Sequence, residues 1–271
     1  MPTHETISFN QVSTLSCSLD EDLELAKSLG FDSLGLYRRK VSDLEPDEIA
    51  EKFRGHDVGI TSLGWVGGFT GSDGWTFDDA IEDATEAIET AAAVGADVLT
   101  LITGGLNRHI RKHARRVLNR ALSTLAPVAA DRGVTLALEP IHPGCGGDWS
   151  FVHDLSLAID IVREVADPAL ALVIDLYHVG LSNPPPEIMR QAAAMTRLVQ
   201  FGDAKTDPQG EMNRCPLGIG NVPLRRLVGD LRDGGYEGPW EVELVGQDVE
   251  QLSYERLLGH SIDYVRDVLA T

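Results

Sequence analysis

Four oxygen-bearing side chains stand where strand-like runs of this sequence end. Glu139 follows Val134-Thr135-Leu136-Ala137-Leu138, Asp175 follows Leu170 to Ile174, Gln200 falls within Leu198–Asp203, and Glu243 within Trp240–Val245. A near-continuous apolar run of this kind suits a strand buried on both faces of a parallel sheet. Pro140 and Pro143 stop the first run, because proline cannot continue a central ladder. A carboxylate at such a tip has few structural uses. Three carboxylates gathered without a cation would repel until one or two took up a proton, and a divalent metal resolves that conflict. Three carboxylates and an amide carbonyl form an all-oxygen set, which suits Mn²⁺ or Mg²⁺ better than Zn²⁺ or Co²⁺. Any one of these acids alone is better read as a helix cap or a rim ion pair. Four in successive strands are better read as one metal site. A divalent ion held in this way can act as a Lewis acid on an oxygen of a bound molecule.

The elements that must position these groups alternate from end to end. Strands are expected at Ile7–Thr14, Phe31–Tyr37, Val58–Trp65, Asp97–Thr103, the run into Glu139, Leu170–Leu176, Leu198–Asp203 and Trp240–Val245. Helices are expected at Asp20–Leu29, Glu45–Phe53, Phe77–Val94, Arg108–Asp131, Phe151–Ala166, Glu187–Met195, Val222–Asp233 and Tyr254–Leu269. Gly30, Gly95, Gly133 and Gly234 fall where helices should stop. Eight β/α units without a linker predict an α/β chain folded as a single (β/α)8 TIM barrel, one catalytic domain over residues 1–271. No Gly-x-Gly-x-x-Gly turn follows the first strand, which argues against an open dinucleotide-binding sheet. The C-terminal face of such a barrel carries the active site, so the fifth to eighth strands would each offer one ligand to a shared mouth.

Composition narrows the partners. A formal charge of −19 disfavours nucleic acid, and the basic cluster Arg108 to Arg120 reads as a solvated helix face. An acidic chain with 18 arginines and 5 lysines is compatible with a high-salt cytoplasm, although a GC-rich genome gives the same bias. No apolar run approaches the roughly 20 residues of a membrane span. Met1-Pro2-Thr3-His4-Glu5 lacks the basic-then-apolar pattern of a secretion signal. Cys17, Cys145 and Cys215 are too scattered for a disulfide framework or a zinc finger. These features describe a cytoplasmic enzyme with no nucleic-acid or membrane partner; a homo-oligomer is compatible.

The segments Leu138-Glu139-Pro140-Ile141-His142-Pro143, Ile174-Asp175-Leu176-Tyr177-His178, Val199-Gln200-Phe201-Gly202-Asp203-Ala204-Lys205 and Trp240-Glu241-Val242-Glu243-Leu244 resemble the xylose isomerase-like sugar phosphate isomerase/epimerase superfamily. The resemblance spans about residues 97 to 271 in motif and the first three units in pattern only. It implies one divalent metal on the residues matching Glu139, Asp175, Gln200 and Glu243, with Glu139 and Glu243 as the proton-transfer pair. Many members carry histidine as the third ligand. Glutamine there also occurs in members similar to hydroxypyruvate isomerase and some dehydroshikimate dehydratases. His178 matches an Asp-x-x-His pattern and, like His142, would hydrogen-bond a substrate oxygen. Arg214 matches a family arginine that could bind a hydroxyl or an anion.

Asp203 could orient a ligand or cap a loop, and Trp65 and Trp149 could screen the sugar from water or merely pack. Lys205, Cys145 and Cys215 lack a visible activating neighbour and read as bystanders. Loop glycines at Gly104-Gly105 and Gly144 to Gly147 lack the spacing of a phosphate-binding loop, so a phosphorylated substrate is not supported.

The leading expectation is a metal-dependent isomerase or epimerase of a small keto or aldo sugar or polyol ketone. The alternative is a lyase that eliminates from an inosose-, dehydroshikimate- or 3-keto-glycoside-type substrate through the same enolate. An endonuclease IV-like site would need more strand-end histidines and a basic groove, and is rejected. A non-enzymatic metal scaffold is the remaining reading.

Overall fold

The computed structural model describes residues 5–145, 149–210 and 212–271. Local signals in the chain explain why strand and helix alternate. The helix Leu19–Leu29 opens on Ser18, whose hydroxyl accepts from the Glu21 N–H while the Glu21 carboxylate accepts from the Ser18 N–H, and it closes on Gly30 at φ 79°. Thr76 and Asp79 open Phe77–Val94 in the same reciprocal way. A residue with a Cβ would be strained at the left-handed Gly30, which is why glycine stops that helix.

Eight parallel strands close into a barrel: β1 (Ile7–Asn10), β2 (Ser33–Tyr37), β3 (Gly59–Val66), β4 (Val98–Leu101), β5 (Thr135–Leu138), β6 (Leu170–Asp175), β7 (Thr196–Phe201) and, after two short strands, β10 (Trp240–Val242). Neighbours in sequence pair in parallel, and β10 seals the ring between β7 and β1 through Val199↔Trp240 and Ile7↔Trp240. The short strands β8 (Asp203–Ala204) and β9 (Arg214–Cys215) form a separate antiparallel pair just beyond β7.

Side chains alternate along a strand with period two, so Ala137 and Glu139, Val173 and Asp175, and Leu198 and Gln200 each share a face. Val98, Ala137, Val173 and Leu198 pack on one another as a small apolar layer, distinct from the large core between sheet and helices. The acids and the amide sit one step further toward the C-terminal end of the same strands. Burying each valine and leucine side chain of that floor stabilises the barrel by about 1.5–3 kcal/mol, and the floor lies beneath the polar mouth.

Several boundaries differ from expectation, each for a local reason. The first strand stops at Asn10, because Asn10 Oδ1 accepts from the Val12 N–H and turns Gln11–Thr14 into a 3₁₀ helix. The helix expected from Arg108 begins at Arg111, since Asn107 and Arg108 sit at φ 43° and 62°. The helix expected from Phe151 begins at Leu155, where Asp154 accepts from the Leu157 N–H. The seventh strand ends at Phe201 rather than Asp203, and Asp203 joins the hairpin instead. No helix among the described residues is long and apolar enough to cross a membrane.

Candidate active site

The site is assembled at the C-terminal ends of β5, β6, β7 and β10. Glu139, one residue beyond β5, is set by its backbone N–H bonding Leu101 O at 2.9 Å, and its side chain lines the central pocket. Asp175 is the last residue of β6 and caps the short helix Leu176–Leu181, its Oδ1 accepting from the Tyr177 N–H at 2.8 Å. That unforeseen helix turns His178 back over the strand ends. His178 Nε2 lies 3.7 Å from Asp175 Oδ2 and 3.8 Å from Glu139 Oε1. Atoms of Glu139, Asp175 and His178 that could bind a metal all lie within 4.8 Å of one another.

The tautomer of His178 follows from its other nitrogen. The His142 N–H donates to His178 Nδ1 at 3.3 Å, so the ring hydrogen sits on Nε2 and faces the two carboxylates. Burial, with Arg214 and His142 nearby, holds the His178 pKa well below its usual value, and the ring is neutral. In that tautomer it is a donor toward the site rather than a ligand.

Gln200, buried in β7, donates through Nε2 to Glu243 Oε2 at 2.6 Å and to Glu241 Oε1 at 3.0 Å. Its Oε1 is buried without a hydrogen-bond partner. An amide carbonyl left bare in a low-dielectric site costs about 1–3 kcal/mol unless something fills its lone pairs. A divalent cation fits that position. The donor chemistry agrees, since the carboxylates gathered here outnumber the one guanidinium beside them.

The guanidinium belongs to Arg214, which is 1% exposed. It donates through Nη1 to Glu243 Oε1 at 2.6 Å and through Nη2 to Asp175 Oδ2, and its Cζ lies 4.7 Å from the Tyr177 ring centre. Burial works against its charge, but Asp175 and Glu243 hold it protonated. The surplus of acids appears in their proton affinities. Burial, then Glu243 and Asp175, pushes Glu139 well above the usual carboxylate range. Burial raises Asp175 to about 7 despite the opposing pull of Arg214.

The remaining expected site residues separate into two groups. Trp65 and Trp149 line the pocket, with ring centres 5.7 Å apart, and Tyr37 stacks on Trp65 at 5.3 Å and an interplanar angle of 23°. The second group is engaged with the protein itself. Arg214 was expected to reach substrate, but both terminal nitrogens are spent on Asp175 and Glu243. Asp203 was read as orienting a ligand or capping a loop, and its carboxylate caps the loop after β9, accepting from the N–H groups of Ala204, Gly218, Gly220 and Val222. His142 turns its Nδ1 to the Gly144 N–H at 3.1 Å, so it acts on the pocket through its backbone bond to His178.

Lys205 pairs with Asp248 at the surface, and Cys145 and Cys215 are buried without a disulfide. Gly146 and Gly147, expected as loop glycines, lie outside the described residues, as do Met1 to His4.

Sequence reasoning missed Glu241, which is completely buried inside the barrel. The signal was present: Glu241 and Glu243 are two apart on one strand, so a Glu243 facing inward requires an inward Glu241. Tyr37, which extends the aromatic wall, was read only as a strand end.

Residues 23–268 match the xylose isomerase-like TIM barrel family model. An inosose isomerase of Halalkalibacterium halodurans is 24% identical over 97% of this chain and 95% of its own length. An L-ribulose-5-phosphate 3-epimerase of Escherichia coli is 24% identical over 71% of this chain, and the match covers 66% of the epimerase. Among solved structures, a protein of Sinorhizobium meliloti superposes with a TM-score of 0.85 at 25% identity, covering 97% of this chain and 98% of the other. The IOLI protein, solved with a zinc atom bound, superposes at 0.87 with 22% identity over 98% of each chain, which is a likeness of fold. The chain belongs to the xylose isomerase-like TIM barrel family.

Proposed function

We propose that this protein is a divalent-metal-dependent isomerase or epimerase of a small polyol ketone or keto sugar, with Glu139 and Glu243 as its proton-transfer pair. The observation that carries the reading is the bare, buried Oε1 of Gln200, a residue that lines the same pocket as Glu139 and Glu243. The inosose isomerase that matches over nearly its whole length supports a polyol ketone as the substrate class.

Glu139, Asp175, Gln200 and Glu243 would hold the ion, and their oxygen donors favour Mn²⁺ or Mg²⁺. A bound divalent cation lowers the energy of negative charge developing on a carbonyl oxygen. The chain supplies the rest. One glutamate takes the proton α to the carbonyl and the other returns one to the substrate. The raised proton affinity of Glu139 suits it to hold a proton near neutral pH. His178 Nε2–H is a donor for a substrate oxygen, while Trp65, Trp149 and Tyr37 shut water from one side of the pocket. A cytoplasmic location belongs to the same proposal and rests on the sequence alone.

The test is proton exchange. Purified protein with Mn²⁺ or Mg²⁺ in D₂O, offered a panel of inososes and ketoses, should place deuterium α to the carbonyl, read by NMR. No exchange across the panel would overturn the assignment. An unsaturated product absorbing in the ultraviolet would move the protein to the β-eliminating lyases.

A further inference from the structure

Beneath the expected ligands lies a carboxylate that neither the motif nor the relatives assign. Glu241 is fully buried, and its oxygens are met by hydrogen-bond donors. Asn10 Nδ2 and Gln200 Nε2 approach Oε1 at 2.9 and 3.0 Å, while the Thr61 and Ser62 hydroxyls approach Oε2 at 3.0 Å each. Space for it is built into the barrel: a Cβ on Gly35 of β2 would stand 2.1 Å from Glu241 Oε2. A glycine is needed there because of this close approach.

We infer that Glu241 is a positioning residue that fixes which end of the Gln200 side chain faces the metal. An amide has two nearly isosteric ends, and rotation by half a turn would exchange carbonyl for N–H₂. Glu241 and Glu243 both offer acceptors from the same side of Gln200. A carbonyl turned toward them would face two carboxylates, so Nε2 is forced to that side and Oε1 to the other. The outcome is visible in Oε1, which is buried and unpartnered. Glu243 is itself an expected ligand, so Glu241 is the member of the pair free to act solely as the anchor. Glutamine is a usable third ligand in this chain because the register Gln200↔Glu241 places that anchor directly beside it. The inference rests on the metal reading proposed above.

The test compares Glu241→Leu with Glu241→Gln, both titrated with Mn²⁺ by calorimetry. A leucine removes the acceptor and should weaken Mn²⁺ binding about 10–100-fold, the usual effect of losing a group that orients a ligand. A glutamine keeps a carbonyl for Gln200 and Asn10 and can donate to the Thr61 and Ser62 hydroxyls, so affinity should stay within about threefold. A second readout needs no variant at 241. Titrating ¹⁵N-labelled wild type with diamagnetic Mg²⁺ should shift the Gln200 side-chain amide while its hydrogens stay slow to exchange. Wild-type affinity in a folded Glu241→Leu protein would overturn the role of Glu241 alone, as would a Gln200 amide unmoved by an ion that demonstrably binds. Wild-type protein that takes up no divalent cation would overturn the metal reading beneath it.

Discussion

Arg214 Nη1 lies 2.6 Å from Glu243 Oε1, and the same guanidinium reaches Asp175 from its other arm. A fixed cation thus ties two strand ends together at the bottom of the mouth. Arg214→Leu should cost the metal-free protein about 3–5 kcal/mol, because the buried Asp175 and the half-buried Glu243 lose their partner. Arg214→Lys should recover only part, since an ammonium cannot make the forked contact. Urea unfolding of the metal-free proteins measures both, and unchanged stability in Arg214→Leu would contradict the account.

Glu139 differs from Arg214 in lining the open pocket. Glu139→Gln preserves shape but cannot carry the proton, so deuterium exchange into substrate should fall about 10²–10⁴-fold. The melting temperature of the metal-free protein should hold or rise, as a buried acid with raised proton affinity is replaced by a neutral amide. Exchange at the wild-type rate would remove Glu139 from the proton-transfer pair.

Proton affinity also sets a pH dependence. Asp175 is raised from 3.8 to about 7, so between those values the native protein binds more protons than the unfolded chain. Its contribution to stability is therefore fully present below about pH 4 and is lost as pH rises toward 7. A cation must displace the same proton, so the metal-induced rise in melting temperature should grow across this window. Mn²⁺ affinity should fall by up to about tenfold for each pH unit below 7 per proton displaced. Melting curves with and without Mn²⁺ from pH 5 to 8 give the difference directly, and a metal effect independent of pH would sink this prediction.

Trp149 is 39% exposed, yet its ring is 5.7 Å from Trp65 across the pocket wall. Trp149→Ala removes part of the pocket's aromatic wall without touching the acids. KM should rise about 10-fold, for the roughly 1–2 kcal/mol of lost apolar contact, with kcat changed less than threefold. A fall confined to kcat would place Trp149 in the chemistry instead.

Asp203 should behave as a structural residue. Asp203→Ala strands the N–H groups of Ala204, Gly218, Gly220 and Val222, and about 3 kcal/mol of stability should go with them. Metal affinity of the folded fraction should be unchanged. A stable Asp203→Ala protein with weakened metal binding would return Asp203 to the site.

Strand order was legible because it is written in local terms. Apolar runs, capping boxes such as Ser18 with Glu21, and left-handed glycines act within a turn or two of the chain. The same locality made the strand-end positions of Glu139 and Asp175 readable, since the polar residue closes its own apolar run. The roles of Arg214 and Asp203 stayed open in the sequence because their partners are far away along it: Arg214 lies 39 residues from Asp175 and 29 from Glu243. Nothing local distinguishes a buried arginine bridging two strands from one that waits at the rim for an anion.

By itself the sequence determined the eight-fold alternation, the barrel class and the placing of oxygen-bearing side chains at strand ends, all of which follow from periodicity and residue type along the chain. Only the tertiary structure decided how those side chains are held. Closure of β10 against β7 set Glu241 beside Gln200, the hairpin after β7 delivered Arg214 to Asp175 and Glu243, and the short helix after β6 turned His178 onto the carboxylates. Hydrogen-bond partners and electrostatic neighbours depend on distance through space, and distance through space is fixed only when the barrel closes.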